Sequence, residues 1–495
     1  MTGPAHLPTL REVDATGNVL AVDQGTSGTK ALVVCPERGI LASAAVAVHP
    51  RHGEGGLVEQ DPLELLASVR DAAAKALALA GEPVVAVGLA NQGETVLVWD
   101  PSDGTPLSQA VVWQDRRAAT LCDELRDDGE RLAELTGLPL DPYFAAPKMA
   151  WLRRSGVRGG VVTTSDAWLV HRLTGAFVTD ASTASRTMLL DLDSTDWSPQ
   201  ALEVFGLAGE RLPQVVDAAG TFGTTSAFGG APVPLTGLLV DQQAALLGEG
   251  CTREGDVKCT FGTGAFLLGT VGPEPRRSRT GLVGCVAWRL AGRPTYCLDG
   301  QVYTVAAAVD WLTGLGVLGG AEDLDRVAGT VTSTAGVSFV PAFAGLAAPT
   351  WRGDVRAALT GLSLETSAGH VVRALCEGVA AEVVELATAM ATDLGAPLGA
   401  LRVDGGLTRS SVLMQTQADL LQLPVEVYPS PDATALGVGA AARMGLDPRL
   451  GLDDVLPRWR PARVYEPRIG SDEASERLAA HRAAVRRLLA ADGPA

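Results

Sequence analysis

The stretch that decides the fold is VLAVDQGTSGTKALVV, residues 19–34. Two apolar runs, Val19–Val22 and Lys30–Val34, flank a turn of glycine and short hydroxyl residues, and this pattern predicts two strands joined by a hairpin. Such a turn lets backbone N–H groups approach a phosphate closely. It is neither a Walker A loop nor the dinucleotide-binding fingerprint, because no helix follows directly. A phosphate-binding turn and a plain β-hairpin therefore both stay open.

Asp23 stands at the end of the first of these two strands. A carboxylate beside a phosphate is electrostatically unfavourable unless a divalent cation lies between the two groups. Asp23 is therefore a candidate metal ligand.

The strand, turn, strand order recurs about half a chain later. It reads DVKCT (256–260), FGTG (261–264) and AFLLGTV (265–271). This repetition indicates an internal duplication and two related domains. Two phosphate-binding turns from two domains would hold one nucleotide across a cleft.

The rest of the chain alternates short apolar runs with longer segments of helical period, which indicates an α/β fold. Its 495 residues are too many for one ordinary core. We expect a loose N-terminal leader over 1–17 and two domains over 18–248 and 249–495. The pattern predicts strands at 84–89, 95–99, 110–113 and 401–404, and helices at 61–80, 371–393 and 411–421.

Composition excludes several classes of partner. Asp and Glu number 57 against 40 Lys and Arg, for a net charge of −17, which argues against nucleic acid or an anionic membrane as the main partner. The 7 cysteines show no CxxC spacing and the 6 histidines are dispersed, so the chain suits a reducing compartment better than disulfides or a transition metal. No apolar signal region and no run approaching about 20 apolar residues is visible, so a cytoplasmic location is expected.

An aspartate also ends the apolar strand of TGLLVDQQ, residues 236–243. Phosphoryl transfer needs a carboxylate that orients the attacking hydroxyl and accepts its proton, so Asp241 is a candidate general base. An aspartate there also fits a helix N-cap, and both roles can hold together.

Glycines follow two other predicted strands. In NQGETVLVW, residues 91–99, a glycine between polar residues could mark a phosphate loop, a tight turn or a missing side chain. In DGGLTRS, residues 404–410, glycines could let a base or phosphate lie on the backbone, or simply start a helix. Both stretches stand where open α/β sheets bind ligands, at the carboxyl ends of strands.

In order and spacing, these stretches resemble the FGGY family of carbohydrate kinases, and its glycerol kinases most closely. The resemblance extends from about Val19 to about Leu446 and includes GLVEQDP (56–62), VWQDRR (112–117), DPYF (141–144) and FVPAFAGL (339–346). It implies two actin-like domains of ribonuclease-H-like topology, with a cleft that closes over ATP and a small polyol or sugar. A homodimer or homotetramer is also compatible with it.

The resemblance implies a role for each matching residue. Asp241 is the catalytic base, and Asp23 with Asp241 helps to place Mg²⁺. The phosphates of ATP face Thr26, Ser27, Gly28, Thr29 and Lys30 from the first domain and Gly262, Thr263 and Gly264 from the second. The adenosine side comprises Ala306, Asp310, Gly405, Gly406 and Ser410. The acceptor site comprises Gln92, Gly93, Glu94, Trp113, Tyr143, Asp241, Gln242 and Phe266, whose aromatic members offer flat apolar walls and whose polar members bind hydroxyls.

The chain departs from glycerol kinases at Gly93, where they have an arginine, and at Ala306, Asp310 and Ser410 on the nucleotide side. Losing an arginine removes up to five donors and a full charge. We therefore expect a short polyol or sugar that can be bulkier than glycerol, such as a tetritol. Alternatively, glycerol still binds and a Lys or Arg from elsewhere substitutes.

Two other functions are alternatives to a polyol kinase. A ketose kinase of the xylulokinase type is favoured by the missing arginine and disfavoured by Trp113, Tyr143 and Phe266. A non-catalytic, nucleotide-dependent sensor would give Asp23, Glu94 and Asp241 no shared purpose.

Overall fold

The computed structural model describes residues 17–229 and 231–491. The predicted leader over residues 1–17 lies outside the described residues, except for Gly17. Within the described part of the chain, no helix combines the length and the apolar composition that a membrane crossing requires.

The first sheet contains the predicted hairpin. Its strands follow the spatial order Thr224–Thr225, Val233–Val240, Val84–Asn91, Asn18–Gln24, Gly28–Cys35 and Gly39–Ala47. Three of them, 233–240, 84–91 and 18–24, are mutually parallel, whereas 28–35 and 39–47 continue the sheet in antiparallel pairs. Both predicted strands of the hairpin are confirmed.

The parallel strands of this sheet end at one edge. Val240 pairs with Asn91, Asn91 pairs with Gln24, and Gln92 N donates to Gln24 O at 2.8 Å. Asp241, the polar run after Asn91 and the first glycine-containing turn therefore share the edge where α/β sheets bind ligands.

The second sheet repeats this arrangement. Its strands follow the order Val283–Leu290, Arg293–Val302, Ala265–Gly272, Val257–Phe261, Leu401–Asp404, Val425–Val427 and Arg463–Tyr465. In both sheets the first hairpin strand pairs antiparallel with the second and, on its other side, parallel with a strand from much later in the chain. The strand order therefore displays the duplication that the sequence predicts.

Shorter strands form the remaining sheets. A five-stranded sheet has the order Arg51–His52, Val58–Gln60, Ala110–Val111, Val96–Trp99 and Val161–Thr164, and three two-stranded pairs join Val178–Asp180 to Gln214–Val216, Leu190–Asp191 to Asp196–Trp197, and Ser338–Val340 to Ala358–Thr360. The strand predicted over 110–113 ends early, because Val112 O accepts from Asp115 N at 2.9 Å and the chain turns there.

Helices cover the sheets and connect their strands. They are Pro62–Ala80, Ala119–Glu124, Gly129–Thr136, Ala145–Arg154, Ser165–Thr174, Ala181–Ser185, Pro199–Val204, Asp241–Gly248, Ala306–Gly314, Leu324–Ala328, Ala368–Leu394, Ser411–Leu421, Ala433–Leu446, Leu452–Val455 and Ser471–Ala491. The first helix begins as predicted, since the Asp61 carboxylate caps it by accepting from Leu63 N and proline occupies its first turn.

One helix from the second half of the chain, Ala433–Leu446, packs on the first sheet. Gly88 and Gly237 lie beneath it, and a Cβ at these two positions would come within 2.5 Å and 2.7 Å, respectively, of the Val438 carbonyl oxygen. Glycine at both positions permits this close backbone approach. The helix therefore fastens the second half of the chain to the first sheet.

Candidate active site

A cavity of about 180 Å³ lies at the carboxyl edge of the first sheet and is lined also by residues of the second sheet. The first glycine-containing turn contributes Thr26 and Ser27, and the second contributes Gly262 and Thr263. The structure thus brings both predicted phosphate-binding turns to one cavity.

Three aromatic side chains, those of Trp113, Tyr143 and Phe266, form a wall of this cavity. The Trp113 ring meets the Tyr143 and Phe266 rings edge to face, with centroids 5.7 Å and 6.0 Å apart. Trp113 Nε1 donates to Thr26 Oγ1 at 2.8 Å. The wall offers flat apolar faces to a ligand and is tied directly to the first turn.

Lys148 holds the segment that presents Tyr143. Its fully buried Nζ donates to the carbonyl oxygens of Pro142 at 3.0 Å, Tyr143 at 2.5 Å and Phe144 at 2.6 Å. Burial lowers the pKa of Lys148 to about 8. The position of the tyrosine ring thus depends on a lysine that lies outside the cavity.

Asp241 is the first residue of a helix whose N-cap is Val240, so it begins the helix without being its cap. Gln242 N donates to Asp241 Oδ1 at 2.7 Å, which fixes the carboxylate at the cavity. Burial, followed by the negative charges of Asp23 and Glu94, raises the pKa of Asp241 to about 7. Burial also raises the pKa of Asp23 to about 7.

A buried lysine holds the side chain of Gln242 in place. Lys258, which is fully buried, donates from Nζ to Gln242 Oε1 and to Thr260 Oγ1, both at 2.7 Å. Gln242 and Thr260 both line the cavity, so this lysine orients two polar groups that a ligand would meet.

Glu94 belongs to a buried ionic cluster. Arg186 donates from Nε to Glu94 Oε1 at 2.5 Å and from Nη1 to Asp299 Oδ2 at 2.7 Å. Its Nη2 lies 3.3 Å from the Tyr143 hydroxyl. Burial raises the pKa of both carboxyls, although the guanidinium opposes the rise. Burial also acts to lower the pKa of Arg186, but the two carboxylates together raise it. The cluster joins the first sheet's edge to the second sheet, from which Asp299 comes.

The sequence of this chain is similar to those of known carbohydrate kinases. Residues 18–248 match the family model described as the FGGY family of carbohydrate kinases, N-terminal domain, and residues 257–446 match its C-terminal domain. The chain is 42% identical to the glycerol kinase of Alkalilimnicola ehrlichii, over 95% of this chain and 98% of that one. It is 44% identical to the glycerol kinase of Thermus brockianus, over 91% and 94%.

The chain belongs to the FGGY family of carbohydrate kinases. A solved structure of Plasmodium falciparum glycerol kinase with ADP superposes with a TM-score of 0.88 at 29% identity, covering 95% of this chain and 98% of that one. The predicted fold of two actin-like domains is confirmed. The predicted activity is confirmed as well, because the chain is an ATP-dependent carbohydrate kinase that phosphorylates a polyol or sugar.

Not every predicted phosphate residue of the kinase reaches the cavity. Thr29 is buried, with its Oγ1 2.6 Å from Ser68 Oγ. Gly28 packs closely against the next strand, since a Cβ would lie 2.9 Å from the Val46 carbonyl oxygen. The Lys30 ammonium forms an ion pair with Asp432, at the start of the helix that packs on the first sheet. Thr26 and Ser27 therefore carry the side chains that this turn offers to a ligand.

In the second turn, Gly262 and Thr263 line the cavity, whereas Gly264 is packed against the chain. A Cβ on Gly264 would lie 2.5 Å from the Val302 carbonyl oxygen. Ala306, the first residue of a helix, donates its N–H to Gly262 O at 3.2 Å.

The other predicted adenosine residues lie outside the lining of this cavity. Asp310 is exposed on the helix that starts at Ala306. Gly405 has φ 94° and lies against Phe261, and the position of a Cβ on Gly406 is open. Ser410 caps the next helix through Leu413 N and donates to Asp325 Oδ1 at 2.5 Å. The helix-start interpretation of residues 404–410 therefore accounts for the serine.

The polar run at residues 91–94 forms a tight turn. Thr95 N donates to Gly93 O at 2.7 Å, and the central Glu94 has φ 54°, a left-handed conformation that is costly for glutamate. Gly93 lines the cavity, and a Cβ there would lie 3.0 Å from Val240 Cγ2. Gln92 is buried behind the turn, where its Nε2 donates to Gln60 at 2.8 Å.

The available carboxyl groups suit a metal ion that is shared with a bound ligand better than a metal ion held by protein side chains alone. Among the described residues, no group of three or more His, Cys, Asp or Glu side chains could hold a metal ion. Mg²⁺ typically binds through one or two carboxylates and the phosphates of a nucleotide. Asp23 and Asp241 match that requirement, because Asp23 lies close enough to Asp241 for its charge to raise the Asp241 pKa.

Sequence reasoning missed Arg186 and Asp299, although both line the cavity. Asp299 offered a weak signal, because a carboxylate in the apolar strand run around YCLDGQVY (296–303) needs a buried partner. Arg186 gave no comparable signal, since its partners lie 92 and 113 positions away.

Proposed function

We propose that this kinase phosphorylates a hydroxyl of a short, uncharged polyol, with Asp241 as general base and Mg²⁺ placed by Asp23 and Asp241. The observation that carries the proposal is the position of Asp241, fixed between both glycine-containing turns and the aromatic wall in one cavity.

Charge in the cavity favours an uncharged acceptor. The lining carries three carboxylates, from Glu94, Asp241 and Asp299, and one guanidinium, from Arg186. That guanidinium is already paired with two of the carboxylates. Among the described lining residues, no other cation is available for a sugar acid or a sugar phosphate.

The aromatic wall favours a polyol over a ketose. A linear polyol presents C–H faces that can pack on Trp113, Tyr143 and Phe266, while its hydroxyls reach Glu94 and Asp241. The identity of 42% and 44% to two glycerol kinases supports an acceptor of this class.

Asp241 would act by taking the proton of the acceptor hydroxyl as its oxygen attacks the γ-phosphorus of ATP and ADP leaves. A general base works best when its pKa lies near the working pH. Burial brings the pKa of Asp241 to about 7, and its Oδ1 is held by the backbone, which leaves Oδ2 for the hydroxyl.

The nucleotide would lie between the two turns, with Thr26 and Ser27 on one side and Gly262 and Thr263 on the other. The likeness to the Plasmodium falciparum structure, which contains ADP, supports ATP as donor. Bound Mg²⁺ would offset the charge that develops on the transferred phosphate. Asp23 would hold the cation on the side of the first sheet.

The proposal places the reaction in the cytoplasm, where ATP is available. All seven cysteines are free thiols, which is consistent with a reducing compartment. A homodimer or homotetramer stays a prediction, which sedimentation analysis of the purified kinase would test.

The test is ADP release from purified kinase with ATP, Mg²⁺ and a panel of glycerol, tetritols, pentitols, ketopentoses and gluconate. Polyols should stimulate ADP release most, and Asp241→Asn should lower kcat by at least about a thousandfold with ADP affinity within about threefold of wild type. Asp61→Asn is the matched control, because asparagine also caps a helix and should leave activity unchanged. An active Asp241→Asn enzyme would exclude Asp241 as the base, and a ketopentose preference would exclude the polyol assignment.

A further inference from the structure

Asp299 has a carboxylate oxygen to which none of the described residues donates a hydrogen bond. Its Oδ2 accepts from Arg186 Nη1 at 2.7 Å and from Gln301 Nε2 at 2.9 Å. Its Oδ1 is buried and accepts no hydrogen bond from the described residues. Asp299 is 3% exposed and lines the cavity that holds Asp241. A buried carboxylate oxygen without a donor is costly, so this oxygen is suited to a donor supplied by a ligand.

The position of Asp299 is defined relative to the aromatic wall. Phe266 pairs with Gln301 across neighbouring strands of the second sheet, and Asp299 lies two residues before Gln301 on the same face. Asp299 is therefore diagonal to Phe266. A ligand that packs on this wall and extends along the second sheet would reach the Asp299 carboxylate.

Arg186 holds the Asp299 carboxyl group in place. The guanidinium donates to Asp299 on one side and to Glu94 on the other, at 2.7 Å and 2.5 Å. The two carboxylates therefore have a fixed separation across the acceptor part of the cavity. An acceptor could therefore bind Glu94 through one hydroxyl and Asp299 through another.

Gly93 leaves room for an acceptor that spans this distance. It has no side chain, it lines the same cavity, and its backbone joins directly to Glu94. A Cβ at this position would already lie 3.0 Å from Val240 Cγ2. Any larger residue would occupy space beside Glu94 that glycine leaves to the acceptor.

From these contacts we infer that Asp299, oriented by Arg186, forms a subsite for the hydroxyl of the acceptor that lies farthest from the phosphorylated one, and that the preferred acceptor is a four-carbon polyol. This inference rests on the proposed function. Glycerol has three hydroxyls, and once one meets Asp241 the remaining two lie close to the Glu94 side. A tetritol adds a fourth hydroxyl, which donates to Asp299 Oδ1.

The decisive quantity is the ratio of kcat/KM for erythritol or threitol to kcat/KM for glycerol, measured by coupled ADP detection on the full-length enzyme. We expect a ratio of at least ten for one of the tetritols in the wild type. A site that hydrogen-bonds a hydroxyl strongly rejects an analogue without it. Because both acceptors are measured on one preparation, partial unfolding of a variant cancels in the ratio.

Three variants make the assignment specific. Asp299→Ala should lower the ratio of tetritol kcat/KM to glycerol kcat/KM at least tenfold, because glycerol lacks the hydroxyl that Asp299 binds. Asp299→Glu keeps the charge but adds one methylene to the pocket, and should shift the ratio toward glycerol. The matched control is Asp217→Asn, because Asp217 also pairs with an arginine, Arg289 at 2.7 Å, away from the cavity. It should leave the ratio unchanged.

Two results would overturn the subsite while leaving the polyol kinase intact. One is a wild-type preference for tetritols smaller than tenfold, and the other is an equal loss for both acceptors in Asp299→Ala. An equal loss would assign Asp299 to support of the Arg186 cluster alone. If no polyol stimulates ADP release, the proposed function itself is wrong and the subsite fails with it.

Discussion

Replacing Lys148 by methionine tests how a residue outside the cavity controls the acceptor wall. The ammonium is fully buried and donates to three consecutive carbonyl oxygens, those of residues 142–144. Methionine fills a similar volume but donates no hydrogen bond. The carbonyl oxygen of Phe144, the N-cap of the helix Ala145–Arg154, keeps the first hydrogen bond of that helix. The variant therefore leaves two carbonyl groups, those of Pro142 and Tyr143, without the donor that Lys148 supplies.

The magnitude follows from two opposing effects. Each carbonyl left without a partner costs about 1–3 kcal/mol, or about 4 kcal/mol for two at the middle of that range. Against this, burial lowers the pKa of Lys148 from 10.5 to about 8, which corresponds to a cost of about 3 kcal/mol for keeping it charged. The variant should therefore lose roughly 1 kcal/mol of unfolding free energy at pH 7.5 and roughly 3 kcal/mol at pH 10, where the cost of the charge has largely disappeared.

The pKa of Lys148 also sets the sign of the pH dependence. Between pH about 8 and 10.5 the unfolded chain binds the proton of this lysine and the folded chain does not. The free energy of unfolding of the wild type therefore rises with pH in this window, by up to about 3 kcal/mol from Lys148 alone. The methionine variant lacks this rise, so the difference between the two proteins should grow from pH 7.5 to pH 10.

Urea unfolding at pH 7.5 and 10 measures both effects, and the KM for the acceptor should rise several-fold because Tyr143 loses its support. The control is Lys75→Met, since Lys75 is exposed on the helix Pro62–Ala80. A loss below about 1 kcal/mol at pH 10, or a difference that does not change with pH, would refute this account of Lys148.

Three further substitutions test other contacts. Trp113→Phe removes the N–H that donates to Thr26 at 2.8 Å, so the KM values for acceptor and ATP should rise together by about threefold to tenfold in steady-state kinetics. Asp23→Asn should raise the Mg²⁺ concentration for half-maximal activity about tenfold in a magnesium titration, with the acceptor KM unchanged. Gly237→Ala places a Cβ 2.6 Å from the backbone of the helix packed on the first sheet and should cost about 1–3 kcal/mol in urea unfolding, whereas Gly399→Ala, with open space around it, should be neutral.

Local pattern was sufficient to predict the two hairpins and the strand that ends just before Asp241. Glycine and hydroxyl residues between apolar runs specify a turn through their own backbone preferences, so no distant contact is needed. The helix Ser411–Leu421 has the predicted bounds for the same reason, because Ser410 caps it. The shared edge of the sheet followed from the general rule for ligand binding in α/β folds.

Strand pairing decided which residues of the first turn face the cavity, and the sequence could not supply it. The second strand of the hairpin begins at Gly28, so Thr29 already obeys the alternation of a strand and faces Ser68 in the core. Thr26, only three residues earlier, remains in the turn and meets Trp113. Thr26 therefore faces the cavity and Thr29 faces the core, because the strand hydrogen bonding begins between them.

The structure bears on the two alternatives that the sequence left open at Gly93. From the sequence, its missing arginine predicted either a larger pocket or a replacement cation from elsewhere. The structure contains such a cation in Arg186, which lines the same cavity as Gly93. All three of its nitrogens already donate, to Glu94, Asp299 and the Tyr143 hydroxyl, so it has fewer donors left for an acceptor than an unpaired arginine at position 93 would have. The space beside Gly93 therefore stays available to the acceptor, as the proposed hydroxyl subsite at Asp299 requires.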